Sequence, residues 1–236
     1  MKNSTYQAVI DTGRTTLLDT SFSEYRARIE VINGEVVWFQ GDEPILSCYP
    51  NHGCPLVEAV DIKGFNNKIL VGGLGLGFTS EAASKYGDVT TVEILSDAIN
   101  FYKAENSEVG FEIVHGDFKD YIKSSKGSYD YILMQLDFPG YDIGYRYCLE
   151  SNADMYTKEF MELITKRLAP NGVFVVEAVC EHNKATPFGR MLEKSGFHVT
   201  SNRKPFNQRS QVFDYMRFIC RVKKGLFNRG EHHAQR

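Results

Sequence analysis

From Lys68 onward, short continuous apolar runs alternate with segments whose apolar residues recur every three or four positions. The runs are "KILV" at 68–71, "VTTVEI" at 89–94, "FEIVHGD" at 111–117, "YDYILMQLD" at 129–137 and "VFVVEAV" at 173–179. They are too short for buried helices and show little in-out alternation, so they read as strands covered on both faces. Between them "TSEAASKYG", "LSDAINFYKAE", "FKDYIKSS" and "MYTKEFMELITKRL" read as helices. The last spaces Phe160, Leu163, Ile164 and Leu168 at helical intervals. Ser96 is placed to cap the second, Gly87 to end the first, and "APNG" to stop the last. "PFGRMLEKSG" predicts a further helix with Pro187 near its start and Gly196 at its end. "FHVTSN" and "DYMRFICRVK" follow as two strands, expected to be antiparallel neighbours. Strands alternating with helices predict an α/β protein, a Rossmann-like mostly parallel sheet with helices on both faces.

The first sixty residues read differently. "RARIEVINGEVVWFQ" centres on Asn33-Gly34, a strong hairpin signal, and predicts a small antiparallel β region. "GDEPILSCYPNHGCPL" is rich in turn formers and is expected to be loop. The expected organisation is a hairpin or lid region at 1–60, a ligand-binding domain at 61–224 and a polar tail at 225–236.

Composition narrows the class. The 236 residues are 42% apolar and 24% charged, ordinary for a globular chain. A net charge of −3 gives no general attraction to nucleic acid or an anionic membrane, and neither is expected as a partner. No run reaches the roughly 20 apolar residues of a membrane span. The N-terminus lacks a leader's apolar stretch. The five cysteines are odd in number and without C-x-x-C spacing. A reduced, cytoplasmic protein is therefore expected. Cys48, His52 and Cys54 lie close together but have no second ligand pair, so no metal is expected.

Candidate chemistry gathers at the strand ends. "ILVGGLGLGFT" runs from a strand into Gly73, Gly75 and Gly77, a G-x-G-x-G turn that lets a ligand approach the backbone. Glu93 ends the second strand, 20 residues after Gly73, where a carboxylate can accept ribose hydroxyls. Asp117 follows the third strand, within reach of an adenine amino group. Each acid also has a plain structural reading, Glu93 as a solvated strand end and Asp117 as a cap for "FKDYIKSS". At the ends of consecutive strands, together they favour a nucleoside cofactor.

The run "ILVGGLGLGF…TTVEI…VHGDF…YDYILMQLD…LAPNGVFVV" resembles the spermidine synthase-like branch of the class I S-adenosylmethionine-dependent transferases. The resemblance implies that Gly73, Gly75 and Gly77 cradle S-adenosylmethionine or its decarboxylated form, that Glu93 holds the ribose, and that Asp117 meets the adenine. Spermidine synthases carry an Asp in the glycine loop and a D-x-x-D-P arrangement after the fourth strand. Here the loop reads Leu74-Gly75-Leu76, and the two acids align with Gln135 and Phe138. A glutamine cannot act as a general base. Methyl transfer suffers less from that loss, because a sulfonium is already a good electrophile and in-line positioning can lower much of the barrier. The expected function is methyl transfer to a small-molecule acceptor. Aminopropyl transfer and a non-catalytic nucleoside-binding paralogue are the alternatives, and a homodimer is compatible with all three. Asp137 is the candidate base. Gln135, Tyr141, Asp142 and Tyr145 are the candidate acceptor-binding residues, and Glu177 on the fifth strand either faces the site or is a buried strand acid.

Overall fold

The structure, a computed structural model, describes residues 16–19, 27–32, 35–40, 43–48, 55–106, 108–136, 154–205 and 213–223. The N-terminal strands β1 (Thr16–Asp19), β2 (Ala27–Ile32), β3 (Glu35–Gln40) and β4 (Glu43–Cys48) form an antiparallel sheet in that order. Ile32 pairs with Glu35, so β2 and β3 form the expected antiparallel pair; Asn33 and Gly34 lie outside the described residues. Within the expected loop after Gln40, Glu43–Cys48 is instead a strand. β4 pairs with β3, and helix α1 (Pro55–Val60) follows. Pro44, which has no N–H to donate, is tolerated because β4 is an edge strand.

The main sheet has seven strands. They are β5 (Asn67–Gly72), β6 (Gly87–Glu93), β7 (Glu112–His115), β8 (Tyr129–Met134), β9 (Leu168–Glu181), β10 (Phe197–Pro205) and β11 (Phe213–Val222). Their order is β10-β11-β9-β8-β5-β6-β7. β5 to β9 pair in parallel, whereas β11 lies antiparallel between β9 and β10. The connecting helices are α2 (Phe78–Ser84), α3 (Ser96–Glu105), α4 (Phe118–Ser124), α5 (Lys158–Arg167) and α6 (His182–Lys194).

The continuous apolar runs are continuous because both faces of the sheet are covered. Leu70, Ile132, Met134, Phe174 and Val176 pack on one face with Phe118 and Ile122 of α4, Phe160, Met161 and Ile164 of α5, and Phe188 and Leu192 of α6. Ile69, Val71, Leu133, Val173 and Val175 pack on the other with Leu56, Val57 and Val60 of α1 and Ala83 of α2. Alternate residues of one strand thus enter opposite cores. Fully burying each such side chain contributes about 1.5–3 kcal/mol.

Three local expectations change. Ser96 is the first residue of α3 rather than its cap. Leu95 is the N-cap, with no side-chain bond, and its own N–H is taken by Glu93. Helix α6 begins at His182, so Pro187 sits inside it and removes one N–H from the ladder. Leu168 belongs to β9 rather than to the α5 face, and "APNG" lies within β9 as an interruption of its pairing with β8. Asn171 takes a positive φ of 68° there.

The turn into α2 leaves no room for a side chain at Gly77. Gly77 has φ 84°, and a Cβ on it would stand 2.0 Å from the Tyr102 ring. Gly116 has nothing within 4 Å of an added Cβ. Gly77→Ala is therefore expected to cost about 2–4 kcal/mol of stability, and Gly116→Ala about 0.5 kcal/mol or less. Urea unfolding of the two variants measures the contrast. Equal losses would mean that Tyr102 does not hold the turn.

Candidate functional site

The strand registers bring the candidate residues into one row. Gly72 pairs with Val92 on one side and Met134 on the other, Met134 pairs with Val176, and Glu177 pairs with Arg217. One residue further on, Gly73 N donates to Val92 O at 2.9 Å, Gln135 N to Gly72 O at 3.1 Å, and Gly116 N to Glu93 O at 2.9 Å. Glu93, Gly73, Gln135 and Glu177 therefore stand side by side at the carboxyl ends of β6, β5, β8 and along β9. In open α/β sheets this edge is where ligands bind.

The glycine loop has left-handed backbone at Gly73, Gly75 and Gly77, with φ 92°, 53° and 84°. A Cβ on Gly73 would lie 3.1 Å from the carbonyl oxygen of Gln135, so a side chain there would crowd the end of β8. Leu74 and Leu76 are buried, and Leu74 packs with Ile99 and Tyr102 of α3. The two leucines anchor the loop from beneath, so the surface left to a ligand is main chain.

Glu93 is only 7% exposed, and each of its two oxygens accepts a backbone hydrogen bond. Its Oε2 accepts from Leu74 N at 2.8 Å, and its Oε1 accepts from Leu95 N at 2.8 Å. One carboxylate thus joins the glycine loop to the start of α3. A carboxylate offers about four lone-pair directions, so acceptor capacity for hydroxyl groups remains. Asp117 is the N-cap of α4, its Oδ1 accepting from Lys119 N at 2.6 Å and Asp120 N at 3.2 Å. Oδ2 takes no hydrogen bond among the described residues.

At the other end of the row, Gln135 is held on both sides. Thr79 Oγ1 donates to its Oε1 at 2.6 Å, and its Nε2 donates to Glu177 Oε2 at 2.9 Å. Glu177 Oε1 in turn accepts from Nε and Nη2 of Arg217. Glu177 and Arg217 are both buried. Thr79 and Arg217 did not stand out in the sequence reading. The available signal was one acid in the apolar run of β9 and one base in that of β11, opposite charges where neither could be left unpaired. Asp137, Tyr141, Asp142 and Tyr145 lie outside the described residues. Among the described residues there is no group of three or more His, Cys, Asp or Glu that could hold a metal ion, and no helix is long and apolar enough to cross a membrane. Cys48, His52 and Cys54 are not among the residues whose side chains are described.

Solved structures share the fold across most of the chain. A probable spermidine synthase from Corynebacterium glutamicum superposes with TM-score 0.66 at 15% identity, covering 84% of this chain and 77% of that one. Spermidine synthase from Thermotoga maritima gives 0.59 at 13% identity, covering 88% and 72%. Human methyltransferase-like protein 13, solved with S-adenosylhomocysteine, gives 0.52 at 18% identity, covering 72% and 76%. No curated protein matches the chain. Sheet order defines a Rossmann-like fold, with the candidate site at its strand ends. The family of S-adenosyl-L-methionine-dependent methyltransferases matches residues 82–216, more than half of the chain, and the protein belongs to it. The matched stretch holds Glu93, Asp117, Gln135 and Glu177. The residues present fit the cofactor: a buried carboxylate with acceptor capacity stands beside a left-handed glycine loop whose Gly73 and Gly75 are half-buried and carry no side chain.

Because Glu93 closes two backbone donors at once, Glu93→Ala is expected to cost about 2–4 kcal/mol of stability. Hydrogen exchange at Leu74 N–H should accelerate in the same variant. Unchanged exchange at Leu74 would show that the bond is not formed in solution.

Proposed function

We propose that the protein transfers the methyl group of S-adenosylmethionine to a small-molecule acceptor lying over the end of β8. The observation that carries this reading is the Glu93 carboxylate, buried at the second strand end and already fixed by the glycine loop. When bound, S-adenosylmethionine supplies a methyl group on a sulfonium, open to in-line attack by an acceptor nitrogen, oxygen or carbon.

The chain's own residues orient and protect. Glu93 accepts the ribose hydroxyl protons with the lone pairs that Leu74 and Leu95 leave. The main chain at Gly73, Gly75 and Gly77 receives the rest of the nucleoside and its tail. The Oδ2 atom of Asp117 faces the adenine amino group while Oδ1 keeps the helix capped. Asp137 takes the proton released by a neutral acceptor, with Tyr141, Asp142 and Tyr145 lining the acceptor pocket. The N-terminal region at 1–60 covers that pocket from a separate sheet. Positioning of this kind can supply much of the rate enhancement for attack on an activated methyl group.

Calorimetric titration with S-adenosylmethionine, its decarboxylated form and methylthioadenosine tests the proposal. S-adenosylmethionine is expected to bind tighter than the decarboxylated form, because the loop offers main chain and no acid for a lone terminal ammonium. Gly75→Val, forcing a β-branched residue to a φ of 53°, should abolish binding in a protein that remains folded. Preferred binding of the decarboxylated form, with conversion of putrescine to spermidine, would assign aminopropyl transfer instead. Tight nucleoside binding without turnover of any acceptor would point to the non-catalytic alternative.

A further inference from the structure

Gln135 stands at the carboxyl end of β8, and its side chain is not loose. An amide presents a donor end and an acceptor end of nearly the same shape, so its orientation is set by its neighbours. Glu177 Oε2 lies 2.9 Å from one end of the Gln135 amide, and a carboxylate can only accept. That end is therefore the NH2 group. The carbonyl is turned to Thr79, whose hydroxyl donates to it at 2.6 Å. Glu177 is held in turn by Arg217, with both side chains buried and the guanidinium on the other carboxylate oxygen.

We propose that Gln135 is a substrate-positioning residue, its amide locked in one orientation by Thr79 and by the buried Glu177–Arg217 pair. This end of the acceptor site is then a neutral hydrogen-bonding surface that takes an uncharged or carbonyl-bearing acceptor rather than an ammonium. The inference rests on the methyltransferase reading of the site and narrows its substrate class. Three facts support it. The charge of Glu177 is offset at contact by Arg217, so it adds little attraction for a cation. Gln135 itself carries no charge, and desolvating an ammonium against it would be unfavourable. The second N–H of Gln135, exposed at the strand end, has no partner among the described residues and is available to a carbonyl or hydroxyl oxygen. Glu177 is on this reading a positioning residue. It supplies the acceptor that turns the amide, and Arg217 holds it in place.

Side-chain amide resonances of the 15N-labelled full-length protein, saturated with S-adenosylhomocysteine, provide the test. The Gln135 pair is assigned by its disappearance in Gln135→Ala. Two well-separated proton signals are expected, one of them protected from exchange with water. Glu177→Gln should move this pair, because a donor at that position turns the amide over. S-adenosylhomocysteine affinity should meanwhile change by less than about threefold. Putrescine should leave the Gln135 signals in place and bind with a Kd weaker than about 1 mM. Gln135→Glu should bind putrescine at least about tenfold more tightly than the wild type. The proposal is overturned if the wild-type Gln135 signals exchange freely and ignore Glu177→Gln, or if putrescine shifts them in a saturable way. Absence of any heat with S-adenosylhomocysteine would instead remove the methyltransferase reading, and the amide orientation would still be readable in the ligand-free protein.

Discussion

Two backbone N–H groups converge on one buried carboxylate. Leu74 belongs to the loop after β5 and Leu95 to the approach of α3, and neither donor has a place in a sheet ladder or a helix. A buried donor without a partner costs about 1–3 kcal/mol. Glu93 satisfies both, and through them it fixes the loop path, the entry of α3 and the distance between two strand ends. The leucines beneath the loop and the Tyr102 ring against Gly77 then set the height of the loop above the sheet. On the proposed reading, function and stability are consequently hard to separate at Glu93, because the atoms that shape the loop are those that would touch the cofactor.

The second organising element is the chain from Thr79 through Gln135 and Glu177 to Arg217. It links α2, the end of β8, β9 and β11, with Thr79, Glu177 and Arg217 buried and Gln135 exposed. Buried ion pairs contribute little net stability compared with apolar packing of the same volume. Their usefulness lies in direction. An apolar wall at this place would leave the Gln135 amide to rotate, whereas a carboxylate admits one orientation.

Much of the fold was legible because parallel strands covered on both faces leave a plain mark. "KILV", "YDYILM" and "VFVV" are apolar at consecutive positions, and the structure sends Ile69 and Leu70, or Phe174 and Val175, into different cores. The alternation with helices and the antiparallel partnership of the last two strands followed from the same pattern. What was not legible depended on partners distant in sequence. Strand β4 contains a proline that spoke against a strand, and only its place at the sheet edge makes it acceptable. Pro187 looked like a helix start and sits within a helix. Ser96 looked like a cap, but Glu93 had already taken the nearest N–H group. In the site, the glycines and strand-end acids could be found one strand at a time. Arg217 could not, because its partner lies 40 residues earlier in the chain and the two meet only through the antiparallel pairing of β11 with β9.

The position of β11 has a consequence for how the protein comes into being. During synthesis the strands emerge in numerical order, but β11 occupies an interior place between β9 and β10. A ribosome-bound chain that ends before residue 213 can assemble the sheet from β7 to β9 and can form the Glu93 clasp. Such a chain has no β11 to stand between β9 and β10, and Glu177 lacks Arg217. The last strand to be translated both fills the gap and brings Arg217 to the strand-end edge. On the proposed reading the acceptor side of the site is completed after the cofactor side, and a chain stopped short would hold Gln135 through Thr79 and a Glu177 that lacks its guanidinium.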